Sequence, residues 1–166
     1  TVEFQKHTAT TCPASASYGN LIINVSNFTQ NNGCAGNLSS IAGNLEVKNT
    51  SGYQLRLVST QNIAHTIGGN LTISGGTLVL SSDSGSPSVA VSGDVIVSSG
   101  TLDLSNKSSG AGSPTLNIGG NFSQTGGTFA SSGSPGIPTV AFTGGTSAVT
   151  FSTSGGTFTN TNINWQ

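Results

Sequence analysis

Short apolar alternations recur along the chain, each bounded by glycine, serine or asparagine. Five of them follow a Gly-Asn or Gly-Asp pair: Gly19-Asn20 in "GNLIIN", Gly43-Asn44 in "GNLEVK", Gly69-Asn70 in "GNLTIS", Gly93-Asp94 in "GDVIVS" and Gly120-Asn121 in "GNFSQT". The steps between these glycines are 24, 26, 24 and 27 residues. Self-similarity at a period of roughly 20 to 50 residues marks a stacked-repeat architecture.

Each period holds three strand-like runs. The first follows the anchor: Leu21–Ile23, Leu45–Val47, Leu71–Ile73 and Val95–Val97, with Phe122 in the last. The second reads "QLRLV" (54–58), "TLVLS" (77–81), "TLDLS" (101–105) and "TFASS" (128–132). The third reads "TVEF" (1–4), "SVAV" (88–91), "TLNI" (115–118) and "TVAF" (139–142). Period-two alternation sends one set of side chains inward and the other outward. Gly-Gly, Ser-Gly and Ser-Pro clusters separate the runs as turns. No helical period of useful length occurs.

The pattern predicts an all-β, single-stranded, three-faced parallel β-helix (β-solenoid) of about six rungs with ~25 residues per rung. Rungs would stack at the ~4.8 Å strand spacing around a bore of Leu, Ile, Val and Phe. A β-sandwich also supplies many short strands, but it does not require equal repeats. Residues 1–166 read as one solenoid domain, with less regular N-terminal rungs over 1–42, regular rungs over 43–142 and a C-terminal rung over 143–166. Thr1 matches Thr139 and Tyr18 matches Phe158 in phase, so residues 139–166 read as a second pass through the phase of residues 1–27.

Charged residues make up 5% of the chain, against roughly 25% in an average soluble protein. A net charge of −1 gives no basic footprint for nucleic acid and no polybasic membrane stripe. Hydrophobic residues are still 33%, in register, and the polar remainder is Ser, Thr, Asn and Gly, which argues against disorder. The scarcity of charge suits stacking, since like charges in one column would stand ~4.8 Å apart. No stretch approaches the ~18 consecutive apolar residues of a membrane span. The chain opens on no charged and apolar leader, so any signal peptide is expected to be removed or to lie outside it.

The phrase "GNLTISGGTL…SVAVSGDVIVSSGTLDLS" resembles the repeat regions of secreted surface proteins of Bacteroidetes-type bacteria. More loosely, it resembles the β-solenoid passengers of autotransporters and filamentous haemagglutinin-like adhesins. The resemblance implies an extracellular or cell-surface setting and a scaffold or adhesive role, and it carries no catalytic residues to transfer.

A solenoid end exposes unpaired backbone groups and an open bore, and the sequence offers no amphipathic capping helix. Head-to-tail stacking of terminal rungs on a second copy would propagate into a filament. The residues expected at such a junction are Val2, Phe4, Tyr18, Leu21, Ile23, Phe158, Ile163 and Trp165. The other readings are neighbouring repeats of one longer protein, ends covered by loops, or an adhesive module that binds carbohydrate or ice, with a glycan as ligand. Thr77, Thr101 and Thr128 recur at one phase as an ice-binding face would require, but their outward partners Val79, Asp103 and Ala130 interrupt the lattice.

Cys12 lies seven residues before Gly19 and Cys34 nine before Gly43, nearly the same phase on neighbouring rungs. A disulfide between them is geometrically reasonable and fits an oxidising compartment. His7 and His65 lack partners at metal-ligand spacing and read as surface or turn residues. Asp94 and Asp103 are the only carboxylates close in sequence, with Asp103 at an outward position. A polysaccharide lyase or hydrolase would need clustered acids, so the chain reads as non-enzymatic, with no cofactor or metal. Asp83 and Asp94 stand at turns where a weakly held ion is conceivable, although the calcium-binding nonapeptide is absent. Glu46, Lys48 and Arg56 form the expected charge cluster. Asn-x-Ser/Thr sequons stand at Asn24, Asn27, Asn37, Asn49, Asn70, Asn106 and Asn121.

Overall fold

The computed structural model describes residues 1–5, 17–34, 37–145, 148–159 and 162–166. These residues form strands and turns and no helix. Every strand pairing is parallel, and the chain visits three sheets in a fixed cyclic order, which makes a three-faced β-solenoid.

The first face has seven strands: Val2–Phe4, Leu21–Asn24, Leu45–Asn49, Leu71–Ile73, Val95–Val97, Phe122–Gln124 and Phe151–Thr153. The second has six: Asn32–Gly33, Leu55–Val58, Thr77–Ser81, Thr101–Ser105, Thr128–Ala130 and Thr157–Thr159. The third has six: Ser40–Ile41, Ala64–Ile67, Ser88–Val91, Thr115–Ile118, Thr139–Phe142 and Asn164–Trp165. Tyr18 adds a single parallel bridge to Ile41 at the edge of the third.

The anchor pairs hold the turns in register. Asn20 Oδ1 accepts the Asn44 backbone N–H at 2.8 Å, and Asn44 Oδ1 accepts that of Asn70 at 2.8 Å. Asn70 Oδ1 accepts Asp94 N–H at 2.8 Å, Asp94 Oδ1 accepts Asn121 N–H at 2.7 Å, and Asn121 Oδ1 accepts Thr150 N–H at 2.9 Å. Each corner side chain thus satisfies a backbone donor one turn further on. The preceding glycine follows from that contact. A Cβ on Gly43, Gly69 or Gly93 would lie 2.1–2.2 Å from the asparagine oxygen of the turn before. Gly19 meets nothing within 4 Å. At the corner between the first and second faces, Gly100, Gly127 and Gly156 take φ of 68°, 63° and 82°, values that disfavour any side chain.

Alternation fills the bore. On the first face one inward column runs Leu21, Leu45, Leu71, Val95 and Phe122, each at most 1% exposed. Leu55, Leu78, Leu102 and Phe129 form the matching column of the second face, and Val89, Leu116 and Val140 that of the third. Burying each such side chain contributes roughly 1.5–3 kcal/mol.

The first-, second- and third-strand assignments hold for Leu21–Ile23 and over residues 45–142, including the outward column Ile22, Glu46, Thr72, Ile96 and Ser123. The phase at the two ends does not. Val2–Phe4 pairs with Leu21–Ile23 on the first face, whereas Thr139–Phe142 lies on the third. Tyr18 is on the third face and Phe158 on the second. Residues 139–166 are therefore not a second pass through the phase of residues 1–27. The phrase Thr-Val-x-Phe supplies two inward apolar residues, which fit any face. Phase is set by the corner, and Val2 follows Thr1 rather than an anchor asparagine. In register, Thr1 stands where Thr150 stands, before Phe151.

These contacts predict a contrast between two chemically identical substitutions. Gly93→Ala should lower the urea-unfolding free energy by about 2 kcal/mol or more, because Asn70 must abandon its bond. Gly19→Ala, facing open space, should stay within about 0.5 kcal/mol of the parent.

Candidate functional site

The first-face column ends at Val2 and Phe151, which are 43% and 45% exposed, whereas the five residues between them are sealed. This column is therefore uncovered at both described ends. At the C-terminal end one aromatic comes from each face. Phe151 stacks on Phe122 (centroids 4.9 Å apart, planes at 12°), Phe158 stacks on Phe129 (5.3 Å, 25°), and Trp165 continues the column of Val140. The three rings also meet one another: Phe158–Trp165 at 5.9 Å, Phe151–Trp165 at 5.1 Å and Phe151–Phe158 at 5.5 Å. Such ring pairs add roughly 0.5–1.5 kcal/mol beyond area burial. Beside this aromatic floor run the edges of Phe151–Thr153, Thr157–Thr159 and Asn164–Trp165, each the last strand of its sheet.

The anticipated junction residues divide into two groups. Val2 is exposed, and Phe4 is partly buried against Tyr18 (6.5 Å, 83°). Phe158, Ile163 and Trp165 are partly buried in the last turn. Tyr18, Leu21 and Ile23 are 8%, 1% and 0% exposed and belong to the core, because Val2–Phe4 supplies another strand outside Leu21–Asn24. Phe151 was missed. Its signal was the corner "SGGT" at 154–157, which repeats "SGGT" at 74–77 and places Phe158 on the second face and the preceding strand on the first.

His65 is no surface residue. Its ring occupies the inward column of the third face beside Val89, 1% exposed. Nδ1 lies 3.1 Å from the Leu38 carbonyl and Nε2 is buried without a partner. Burial lowers its pKa, and the Leu38 contact opposes that shift. Asp103 points away from the bore but is only 8% exposed. Ser132 Oγ donates to its Oδ2 at 2.5 Å, and the N–H groups of Ser105 and Ser132 reach its Oδ1 at 3.2 Å. Burial raises its pKa, and these hydrogen bonds pull it down.

Glu46, Lys48 and Arg56 do not form one network. Glu46 accepts from Ser74 Oγ at 2.6 Å on the first face, and Arg56 Nε donates to Gln54 Oε1 at 2.8 Å on the second. An ion pair joins Lys107 to Asp83 instead, and the Lys107 hydrogen bond lowers the Asp83 pKa. Asp94 belongs to the corner ladder, as do Asn70 and Asn121. Thr77, Thr101 and Thr128 are in register with Thr157. Behind them Val79, Asp103 and Ala130 are buried, so the exposed row is one threonine wide.

Cys34 is fully buried, and no free cysteine stands among the described residues. Cys12 and His7 lie outside the described residues. Among the described residues no group of three or more His, Cys, Asp or Glu gathers to hold a metal, and no helix is long and apolar enough to cross a membrane.

Comparison with protein-family models, with curated proteins and with solved structures finds no match.

The raised pKa of Asp103 sets a sign. Its contribution to stability is full below the ordinary carboxylate range and is lost as pH rises through the folded value. Asp103→Asn should therefore raise the thermal midpoint at neutral pH and lose that advantage near pH 4. Melting curves at both pH values check it.

Proposed function

We propose that the protein is a structural subunit of an extracellular filament or matrix fibre, extended by head-to-tail stacking of further β-solenoid turns on its open ends. The observation that carries this reading is the column from Val2 to Phe151, sealed along its length and open at both ends. An exposed aromatic floor flanked by three strand edges is complementary to another turn of the same shape, since the edges offer backbone pairing and the floor offers apolar burial. Residues 150–166 carry no charged side chain, so nothing there repels an incoming copy.

The resemblance to secreted bacterial surface repeats supports the extracellular setting. So does the pairing we assign between Cys12 and Cys34, which would staple the N-terminal turns. A non-catalytic role fits the described acids: Asp83, Asp94 and Asp103 are each engaged in a separate structural contact.

A second reading is an adhesive module with a glycan or ice as ligand. The corner between the first and second faces favours it. There Ser74, Ser98, Thr125 and Ser154 on one side, and Thr77, Thr101, Thr128 and Thr157 on the other, border a stacked glycine shelf.

Negative-stain microscopy across a concentration series separates the two readings. Stacking predicts rods that lengthen with concentration, with an axial repeat of roughly 34 Å for seven first-face strands per copy. The double variant Phe151→Ser, Trp165→Ser should stay as single short rods. Single rods of the parent at every concentration, with retention on a glycan array or ice-affinity column, would transfer the function to the hydroxyl-lined corner.

The cysteine assignment has its own check. Intact mass should rise by the two thiol hydrogens on reduction. A Cys12→Ser, Cys34→Ser variant should lose roughly 3 kcal/mol of stability. A variant that melts like the parent removes the staple.

A further inference from the structure

We propose that His65 makes the N-terminal turns of the solenoid acid-labile, so that proton uptake on its buried ring opens the turns up to and including its own strand while the turns beyond stay closed. This does not depend on the filament reading.

The placement carries the inference. His65 occupies a position filled by Val89, Leu116 and Val140 in the next three turns. Its Nδ1 reaches the Leu38 carbonyl, and its Nε2 is buried with no partner. The neutral ring with its proton on Nδ1 fits this arrangement. A second proton would place a full charge and an unmatched donor in the bore, an expensive state. Among the described residues, nothing in the surrounding strands compensates. The inward residues of Leu45–Asn49, Leu55–Val58, Leu71–Ile73 and Ser88–Val91 are aliphatic, and Ser40–Ile41 brings no ionisable group. The charged residues on those strands, Glu46, Lys48 and Arg56, alternate to the outside.

The ring's two sides differ in strength. In the turn before its own, the strands of the second and third faces are the two-residue Asn32–Gly33 and Ser40–Ile41, whereas Leu55–Val58 of its own turn has four residues and the first face runs the other way, from five residues in Leu45–Asn49 to three in Leu71–Ile73. Beyond it the second- and third-face strands run to four or five residues through Ile118. Short edge segments open at lower free energy than long central ones, so the strain is released toward the N-terminus. A second buried group that titrates in acid, Asp103, lies beyond His65 and responds in the opposite sense, since acid neutralises it. Lowering the pH therefore loosens one part of the molecule and not the other.

The sign follows from burial. A histidine whose folded pKa is depressed contributes stability that is full above the ordinary histidine range and is lost as pH falls toward the folded value. Opening linked to one proton predicts an opening constant that rises up to tenfold per pH unit below about pH 6.5.

Native-state hydrogen exchange between about pH 8 and pH 5, corrected for intrinsic rates, reads this directly. Amides of residues 38–67 should show the slope and those of residues 95–124 should not. His65→Val, which matches the rest of its column, should abolish the slope, and His7→Gln should keep it. The proposal is overturned if His65→Val keeps the parent's slope, or if both regions respond alike. Should His65→Val not fold, NMR titration of the parent imidazole decides: a ring that protonates at or above the ordinary histidine value, with the fold intact, overturns the proposal.

Discussion

The structure depends on one repeated hydrogen bond, from a corner backbone N–H to the side-chain oxygen of the turn before. It fixes the axial position of every turn, because the oxygen of Asn20, Asn44, Asn70, Asp94 or Asn121 must lie beneath the donor that follows. It also fixes the glycine before four of the five donors, Gly43, Gly69, Gly93 and Gly120, since the oxygen occupies the space a Cβ would need, and only Thr150 follows a valine. Asp94 shows what the site demands. A carboxylate replaces the amide there without interrupting the series, because an acceptor is the requirement. Thr150 shows where the series stops. Its hydroxyl donates back to Asn121 at 3.0 Å and offers no carbonyl to a later turn.

With turns locked at the strand spacing, identical phases become columns, and the columns decide composition. Buried positions, inward or outward, accept polar residues chiefly where partners are found. Ser81 Oγ donates to the Gly85 carbonyl at 2.6 Å, and Gln124 Nε2 donates across to the Thr157 carbonyl at 2.9 Å. Gln124 Oε1, His65 Nε2 and Ser131 Oγ are the departures among the described residues, buried with no partner. Outward columns avoid repeated charge, so solubility rests on hydroxyls and amides. Asp83 and Lys107, about a third exposed, form an ion pair that water and salt screen.

The period, the three faces and most of the bore were legible in the sequence, because the Gly-Asn anchor and the alternation are different signals that agree in phase. Where only one was present, the reading failed. "TVEF" has alternation without an anchor and was placed on the wrong face. "AHTI" has one aliphatic inward residue and one histidine, so the inward position of His65 was hidden by its chemistry. Asp103 was read as outward, which is correct for direction and wrong for exposure. Alternation tells which way a side chain points, but it does not tell that Ser132, 29 residues later, hydrogen-bonds across it. Phe151 lay unrecognised for the same reason as Val2: Val149 and Thr150 stand where a Gly-Asn pair would have marked the turn.

A stacked fold of this kind sets its middle turns apart from its outermost described ones. In the middle turns the backbone groups of the ladder have a neighbour above and below. The outermost described strands pair on one side only. The exposures of Val2 and Phe151, against a sealed column between them, express that separation in one line of residues. Binding by such an end needs no pocket and no charged pair. It needs only a partner that repeats the same spacing and fills the same bore, and the turns of this chain already meet that condition with one another.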